Sequence, residues 1–200
     1  MCGRYQFSTE KFKELRQIVQ DARRHSEQPD KVKMPIVGDV TPASVAPVLV
    51  AGSDKVVARF QQWGLPGWHG GLVINARAET VCDKPMFRRS IAGRRCVVPA
   101  AGYYEWDAAR HKYFFQLPDK PLYMAGIYDN VDGEDRFVIL TTAPNDTVRD
   151  IHDRMPLILT HEQVRPWLTD PQAALELLVS VPPPLERENE DGQMSLGDFL

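Results

Sequence analysis

A run of short β-type segments through the middle of the chain constrains the fold most. "APVLV", "KVVARFQQW", "GGLVINARAE", "RRCVVPAAGYYEW", "KYFFQLP", "PLYMAGIYD" and "RFVILTTAP" follow one another between Ala46 and Pro144. Each is rich in β-branched and aromatic residues and is bounded by Gly, Pro or Asp, which punctuate strands. Helical periodicity is confined to the ends. Residues 8–24, "STEKFKELRQIVQDARR", set Phe12, Leu15, Ile18, Val19 and Ala22 on one helical face, with Ser8 as the expected N-cap. "THEQ" (Thr160 to Gln163) has the form of a capping box before a helix holding Trp167 and Leu168, and Pro166 limits the regularity of that helix. Asp170-Pro171 opens a further short helix, "PQAALELLV".

Strands that do not alternate with long helices argue against a doubly wound parallel sheet. The expectation is an α+β domain over residues 1–180, with a mostly antiparallel, barrel-like β core and flanking helices. From Val181 the text turns to "VPPPLERENEDGQMSLGDFL", proline first, then acid, then an apolar end. Residues 181–200 read as a linker and tail, disordered when free.

The formal net charge of −3 gives no general attraction to nucleic acid. The cations are unevenly placed, however. "KPMFRRSIAGRR" (Lys84 to Arg95) carries five cations and no acid. Either it is a solvated surface or it is a stripe that binds phosphates. The three cysteines, Cys2, Cys82 and Cys96, form no CxxC pair, so neither a disulfide framework nor a zinc site is expected, and no cofactor or metal. No apolar run has signal-peptide or membrane-spanning form, and a cytoplasmic monomer with no membrane partner is expected.

Several residues could carry chemistry. Cys2 directly follows the initiator methionine. It is either a small buried hydrophobe or, after loss of Met1, a residue with a free α-amine and a thiol together. Their reference pKa values, about 7.7–8.0 and about 8.5, make both reactive forms accessible near neutrality. In "INARAE", Asn75, Arg77 and Glu79 alternate with apolar residues and would share one face of a strand, suited to an anionic ligand or merely solvated. In "AAGYYEWD", Glu105 sits among aromatics that should raise its pKa, unless it is simply an exposed strand end. "TTAPNDTVRDIHDRMP" gathers Asn145, His152, Asp153 and Arg154, with His152 the natural acid/base candidate and a loop histidine held by Asp150 or Asp153 the plain alternative. "WGLPGW" (Trp63 to Trp68) offers an aromatic platform for unstacked bases, one of its tryptophans being core.

"MCGRY", "WGLPGW", "INARAE", "GYYEW" and "DIHDRMP", in this order, resemble the SRAP family (SOS response-associated peptidase, abasic site processing). The resemblance runs through nearly all of residues 2–170. It implies the SRAP fold, loss of Met1, and binding of single-stranded DNA that carries an abasic site. It implies that the Cys2 amine condenses with the open-chain sugar aldehyde and that the Cys2 thiol closes a thiazolidine, a covalent crosslink. By the same resemblance Asn75 positions residue 2 and the sugar, Glu105 moves protons, and His152 acts at the sugar. Arg4, Arg77 and Arg154 would hold phosphates, joined by Trp68, Arg88 and Arg89 in the DNA-binding set. Peptidase activity would mean self-removal of Met1, and some abasic-site lyase activity would follow from the Schiff base. The family's Asn-x-Ala-Pro segment is replaced here by "GDVTP", so no DNA contact is carried over to Asp39 or Thr41.

Two other classes fit parts of the sequence. An N-terminal-nucleophile amidohydrolase, such as a glutaminase, also can begin Met-Cys-Gly, but the Asn-Gly pair typical of such domains is absent. A non-catalytic DNA or sliding-clamp adaptor would use the basic stripe and the tail but leaves Asn75, Glu105 and His152 without a role. In the tail, Gln193, Leu196, Phe199 and Leu200 have the QxxLxxFL spacing of sliding-clamp peptides.

Overall fold

A computed structural model describes residues 2–26 and 37–190. Five strands close a ring: β3 (Val45–Ala51), β4 (Val56–Trp63), β8 (Arg95–Ala100), β11 (Leu122–Val131) and β12 (Glu134–Thr142). The order around the ring is β12-β4-β3-β8-β11, and β11 pairs back onto β12. Pairing is antiparallel except at β12–β4, where Arg136 and Phe137 meet Gln62 and Trp63 in parallel. The expected barrel-like core with flanking helices is therefore present.

Both faces of the ring are dry. Along β12, Phe137 and Ile139 join one hydrophobic cluster while Val138 and Leu140 join the other. Along β11, Leu122 and Met124 alternate in the same way with Tyr123 and Ala125. This period of two explains why the strands read as continuous apolar runs: neither face is left to solvent. Helix α1 (Lys13–Arg24) belongs to the first cluster through Leu15, Ile18 and Ala22. Helices α2 (Arg88–Gly93), α3 (His161–Thr169) and α4 (Pro171–Leu178) cover the second.

A second sheet stands beside the ring, ordered β15-β10-β9-β1-β2. It comprises β1 (Tyr5–Ser8), β2 (Val37–Val40), β9 (Gly102–Trp106), β10 (Lys112–Gln116) and β15 (Glu186–Asn189). The short strands β5 (Leu65–Pro66) and β6 (Leu72–Val73) make a hairpin, β7 (Asn75–Arg77) adds to β12 in parallel, and β13 (Met155–Pro156) and β14 (Ile158–Leu159) add to β12 and β11.

Four local expectations change. Ser8 is not the cap of a helix over 8–24; it ends β1, its hydroxyl accepts from the Lys11 amide at 3.1 Å, and α1 begins after Phe12. Tertiary pairing of Tyr5 with both β2 and β9, and of Phe7 and Ser8 with β2, outweighs the local capping signal. "RRCVVPAAGYYEW" is two strands, because the chain turns at Ala101 from the ring into the second sheet. Gly102 makes that turn possible: a Cβ there would lie 2.3 Å from Phe114 Cζ and 2.6 Å from the Phe115 carbonyl oxygen. "GGLVINARAE" splits into β6 and β7 and ends in a 3-10 turn over Ala78–Thr80, so Glu79 leaves the strand. The third helix is as expected: the capping box of Thr160 and Gln163 is present, Pro166 sits inside α3, and the Asp170 amide bonds the Pro166 carbonyl at 2.9 Å. Lastly, part of the expected tail belongs to the domain: β15 pairs with β10 from Glu186↔Gln116 to Asn189↔Tyr113, and Leu185 is buried. The clamp-type residues Gln193, Leu196, Phe199 and Leu200 lie outside the described residues.

Candidate active site

Cys2 lies where the ring meets the second sheet, with no exposed surface. β1 and β9 hold it from one side: Tyr5 pairs with Tyr103, and the Tyr104 amide donates to the Arg4 carbonyl at 3.0 Å. β7 holds it from the other: Asn75 Nδ2 donates to the Cys2 carbonyl at 3.0 Å. The parallel register Ile139↔Asn75 and Thr141↔Arg77 fixes β7 for that contact. The Asn75 Oδ1 is buried and has no hydrogen-bond partner among the described residues. Among the described residues, Cys2 Sγ makes only a long 3.9 Å contact with the Arg4 carbonyl. Burial pushes the thiol far above its ordinary pKa, and the Glu105 charge adds to the effect.

Strand alternation turns Tyr103 and Glu105 to one side of β9 and Tyr104 and Trp106 to the other. Glu105 is 3% exposed, and burial raises its pKa from 4.5 to about 7. Its Oε2 lies 3.9 Å from His152 Nε2. Burial pushes His152 below its usual value, with Asp153 pulling the other way. His152 Nδ1 accepts from the Arg154 amide at 3.1 Å, and it also lies 3.0 Å from Asp153 Oδ1. Asp153 is almost fully exposed, so the backbone contact is the firmer orienter; it leaves the ring proton on Nε2, toward Glu105. A carboxyl titrating near neutrality, a neutral imidazole and an anchored second residue can together take and return protons at one carbon centre.

A model of the family described as SOS response associated peptidase (SRAP) matches residues 1–190. The chain belongs to the SRAP family. Abasic site processing protein YoqW of Bacillus subtilis (strain 168) is 33% identical over 198 residues, 89% of this chain and 86% of that protein. Abasic site processing protein YedK of Escherichia coli (strain K12) is 28% identical over 179 residues, 84% and 79% of the two chains. A crystal structure of a protein from Bacteroides thetaiotaomicron matches with a TM-score of 0.62 at 31% identity over 76% of each chain. Another, from Bordetella bronchiseptica, shares the fold with a TM-score of 0.71 at 24% identity, over 94% of this chain and 99% of that one.

In this SRAP domain Trp68 and Arg77 line one cleft with Asn75, Thr80, Lys84 and Phe87, of about 670 Å³. Of the two tryptophans of "WGLPGW", Trp68 is 75% exposed and Trp63 is core, its Nε1 donating to the Ile74 carbonyl at 3.0 Å. Lys84 is the member of the basic stripe that reaches this cleft. Arg88 lines a separate apolar hollow with Cys82, Ile91 and Leu175, and Arg89 is exposed on α2.

Two of the predicted phosphate contacts are already engaged. Arg4 pairs with Asp39 at 3.1 Å and lies 5.9 Å over the Trp106 ring. Arg154 is held tighter: Nη1 and Nη2 bond the two Glu79 oxygens at 2.7 and 2.8 Å, and Nη2 also bonds the Thr141 carbonyl at 2.6 Å. It braces the segment that carries His152. A polar cavity of about 700 Å³, lined by Arg59, Gln61 and Arg136, lies toward the opposite end of β12 and takes no part in this geometry. Among the described residues, no helix is long and apolar enough to cross a membrane.

The sequence pointed to Cys2, Asn75, Glu105 and His152 as one group, and the geometry gathers them. It offered Lys84 only as one cation of the basic stripe, and it did not point to Tyr5 and Tyr103 beside Cys2 or to Asp39 as the partner of Arg4. Asp39 had only its place opposite Gln6 across the β1–β2 pair to give it away.

Proposed function

We propose that this protein captures abasic sites in single-stranded DNA and, once Met1 is lost, crosslinks to them through a thiazolidine at Cys2. The observation that carries the reading is the Asn75–Cys2 hydrogen bond beside the Glu105–His152 pair, which aims proton-transfer groups at the residue that becomes the terminus.

The chemistry balances with the chain's own groups. His152 assists opening of the sugar to its aldehyde. The Cys2 amine adds to the aldehyde carbon, and Glu105 supplies the proton with which water leaves, giving a Schiff base. The thiol then adds to the same carbon: the S–C bond forms, the C=N electron pair returns to nitrogen, and the thiol proton passes to Glu105. Only a 1,2-aminothiol closes this ring, so Cys82 and Cys96 cannot substitute. Glu105 is also the acid/base group for self-removal of Met1, and the Schiff base gives a route to abasic-site lyase activity. Trp68, Arg77 and Lys84 carry the strand next to the lesion through stacking and phosphate contact.

The test is to incubate the mature protein with single-stranded DNA carrying one abasic site and run a denaturing gel. A heat-stable shifted band that Cys2→Ala abolishes is expected. No band from protein confirmed to lack Met1 overturns the proposal. The tail is proposed to bind a sliding clamp through Gln193, Leu196, Phe199 and Leu200; a clamp pull-down unaffected by Phe199→Ala dismisses it.

A further inference from the structure

The floor around Cys2 holds two groups that the mechanism above does not use. Tyr5 and Tyr103 form a direct cross-strand pair between β1 and β9, and both are fully buried. Both hydroxyls are buried and have no hydrogen-bond partner among the described residues. The rings are clamped: Tyr5 packs 5.3 Å from Trp63, and Tyr103 stacks 5.2 Å from Phe115. Neither phenol can turn out to solvent to satisfy itself. Leaving a buried donor unpaired is unfavourable, and where it persists it marks a strain reservoir or a group awaiting a partner.

The partner is indicated by what lies around them. Cys2 belongs to the same buried cluster. Tyr103 shares its face of β9 with Glu105, two residues on. These groups are close enough that a negative charge on Cys2 would be felt by both phenols, and one on Glu105 by Tyr103. Among the described residues the sulfur itself has only the weak Arg4 contact. A thiolate forming in this dry place has no water to solvate it, so fixed donors must take that role.

We propose that the Tyr103 hydroxyl, supported by Tyr5, is the hydrogen-bond donor that receives the Cys2 sulfur as its thiol proton leaves for Glu105. It stabilises the sulfur while the S–C bond forms and is itself neither consumed nor ionised. The proposal rests on the reading that residue 2 becomes the terminus, and it separates the two halves of capture. The amine step needs no sulfur and is indifferent to the hydroxyl. Ring closure depends on it.

A DNA-free assay tests this. Mature protein is mixed with glycolaldehyde, quenched with borohydride at intervals, and weighed intact. The imine gains two hydrogens on reduction and the thiazolidine does not, so the two are counted separately. Tyr103→Phe should form imine at the wild-type rate and close it about tenfold more slowly, the loss of one hydrogen bond to a charged group. Tyr5→Phe should show a smaller slowing of the same step. Thermal unfolding confirms that each variant is folded. Closure at the wild-type rate in both variants overturns the proposal, as does an equal slowing of imine formation and closure. If wild-type protein closes the ring on glycolaldehyde in a Tyr103-dependent way yet captures no abasic DNA, the donor role stands and the DNA reading alone fails.

Discussion

Glu105→Gln should stabilise the protein at alkaline pH while abolishing capture. Burial raises the Glu105 pKa from 4.5 to about 7. One unit is worth about 1.4 kcal/mol, so ionising this carboxyl in the fold costs roughly 3 kcal/mol more than in the unfolded chain. Below pH 4.5 the group is protonated in both states and carries no penalty. As pH rises toward about 7, the unfolded chain releases its proton first, and stability falls; above that the loss is complete. Glutamine keeps the shape and removes the titration. Urea unfolding of both proteins at acid, neutral and alkaline pH measures the difference, with equal slopes required for the comparison. The variant should match wild type near pH 4 and exceed it by about 2–3 kcal/mol near pH 8. A difference that is constant with pH, or a variant less stable at alkaline pH, would refute the burial argument. The abasic-DNA gel on the same samples should show no crosslink.

Three other perturbations separate the parts of the site. Trp68→Ala should weaken initial binding of single-stranded DNA by about 1–3 kcal/mol, measured by fluorescence anisotropy, with no change in unfolding, since the ring is 75% exposed. Glu79→Gln releases Arg154 and should cost about 1 kcal/mol, since the pair is partly exposed. Hydrogen bonding from Arg154 holds the Glu79 carboxyl below its usual 4.5, so the pair's stability is present above that value and fades as pH falls through the lowered one. The variant should therefore lose that part of the acid dependence in thermal melts. Gly102→Ala should cost about 3 kcal/mol or more by urea unfolding, because the added Cβ meets ring and backbone at the corner between the sheets.

What the sequence made legible divides along the range of the interaction. The Thr160 to Gln163 capping box and the Asp170-Pro171 helix start are complete within a few residues, and both are present. The ring strands announced themselves because two-sided burial leaves no polar alternation. The turn at Ala101 was hidden for the same reason: apolar residues run unbroken from one sheet into the other. The brace on His152 was also invisible. Glu79 and Arg154 are 75 residues apart, and their meeting depends on β7 lying parallel to β12. "INARAE" read as one strand suggested that Glu79 shares a ligand face with Asn75; the 3-10 turn sends it to Arg154 instead.

The same physics explains why the groups around Cys2 are poorly satisfied. Among the described residues, the Asn75 Oδ1 and the hydroxyls of Tyr5 and Tyr103 are buried without partners, and Glu105 is ionised only against its burial. An ordinary core would replace such groups with hydrocarbon, since an unmet polar atom costs about 1–3 kcal/mol. Here they gather at one seam between two sheets, around the residue that, on the proposed loss of Met1, would present amine and thiol together. The large apolar clusters on both faces of the ring offset that cost. A pocket that solvated Cys2 well before reaction would have less left to offer the charges that develop during it, which is the trade a preorganised site makes.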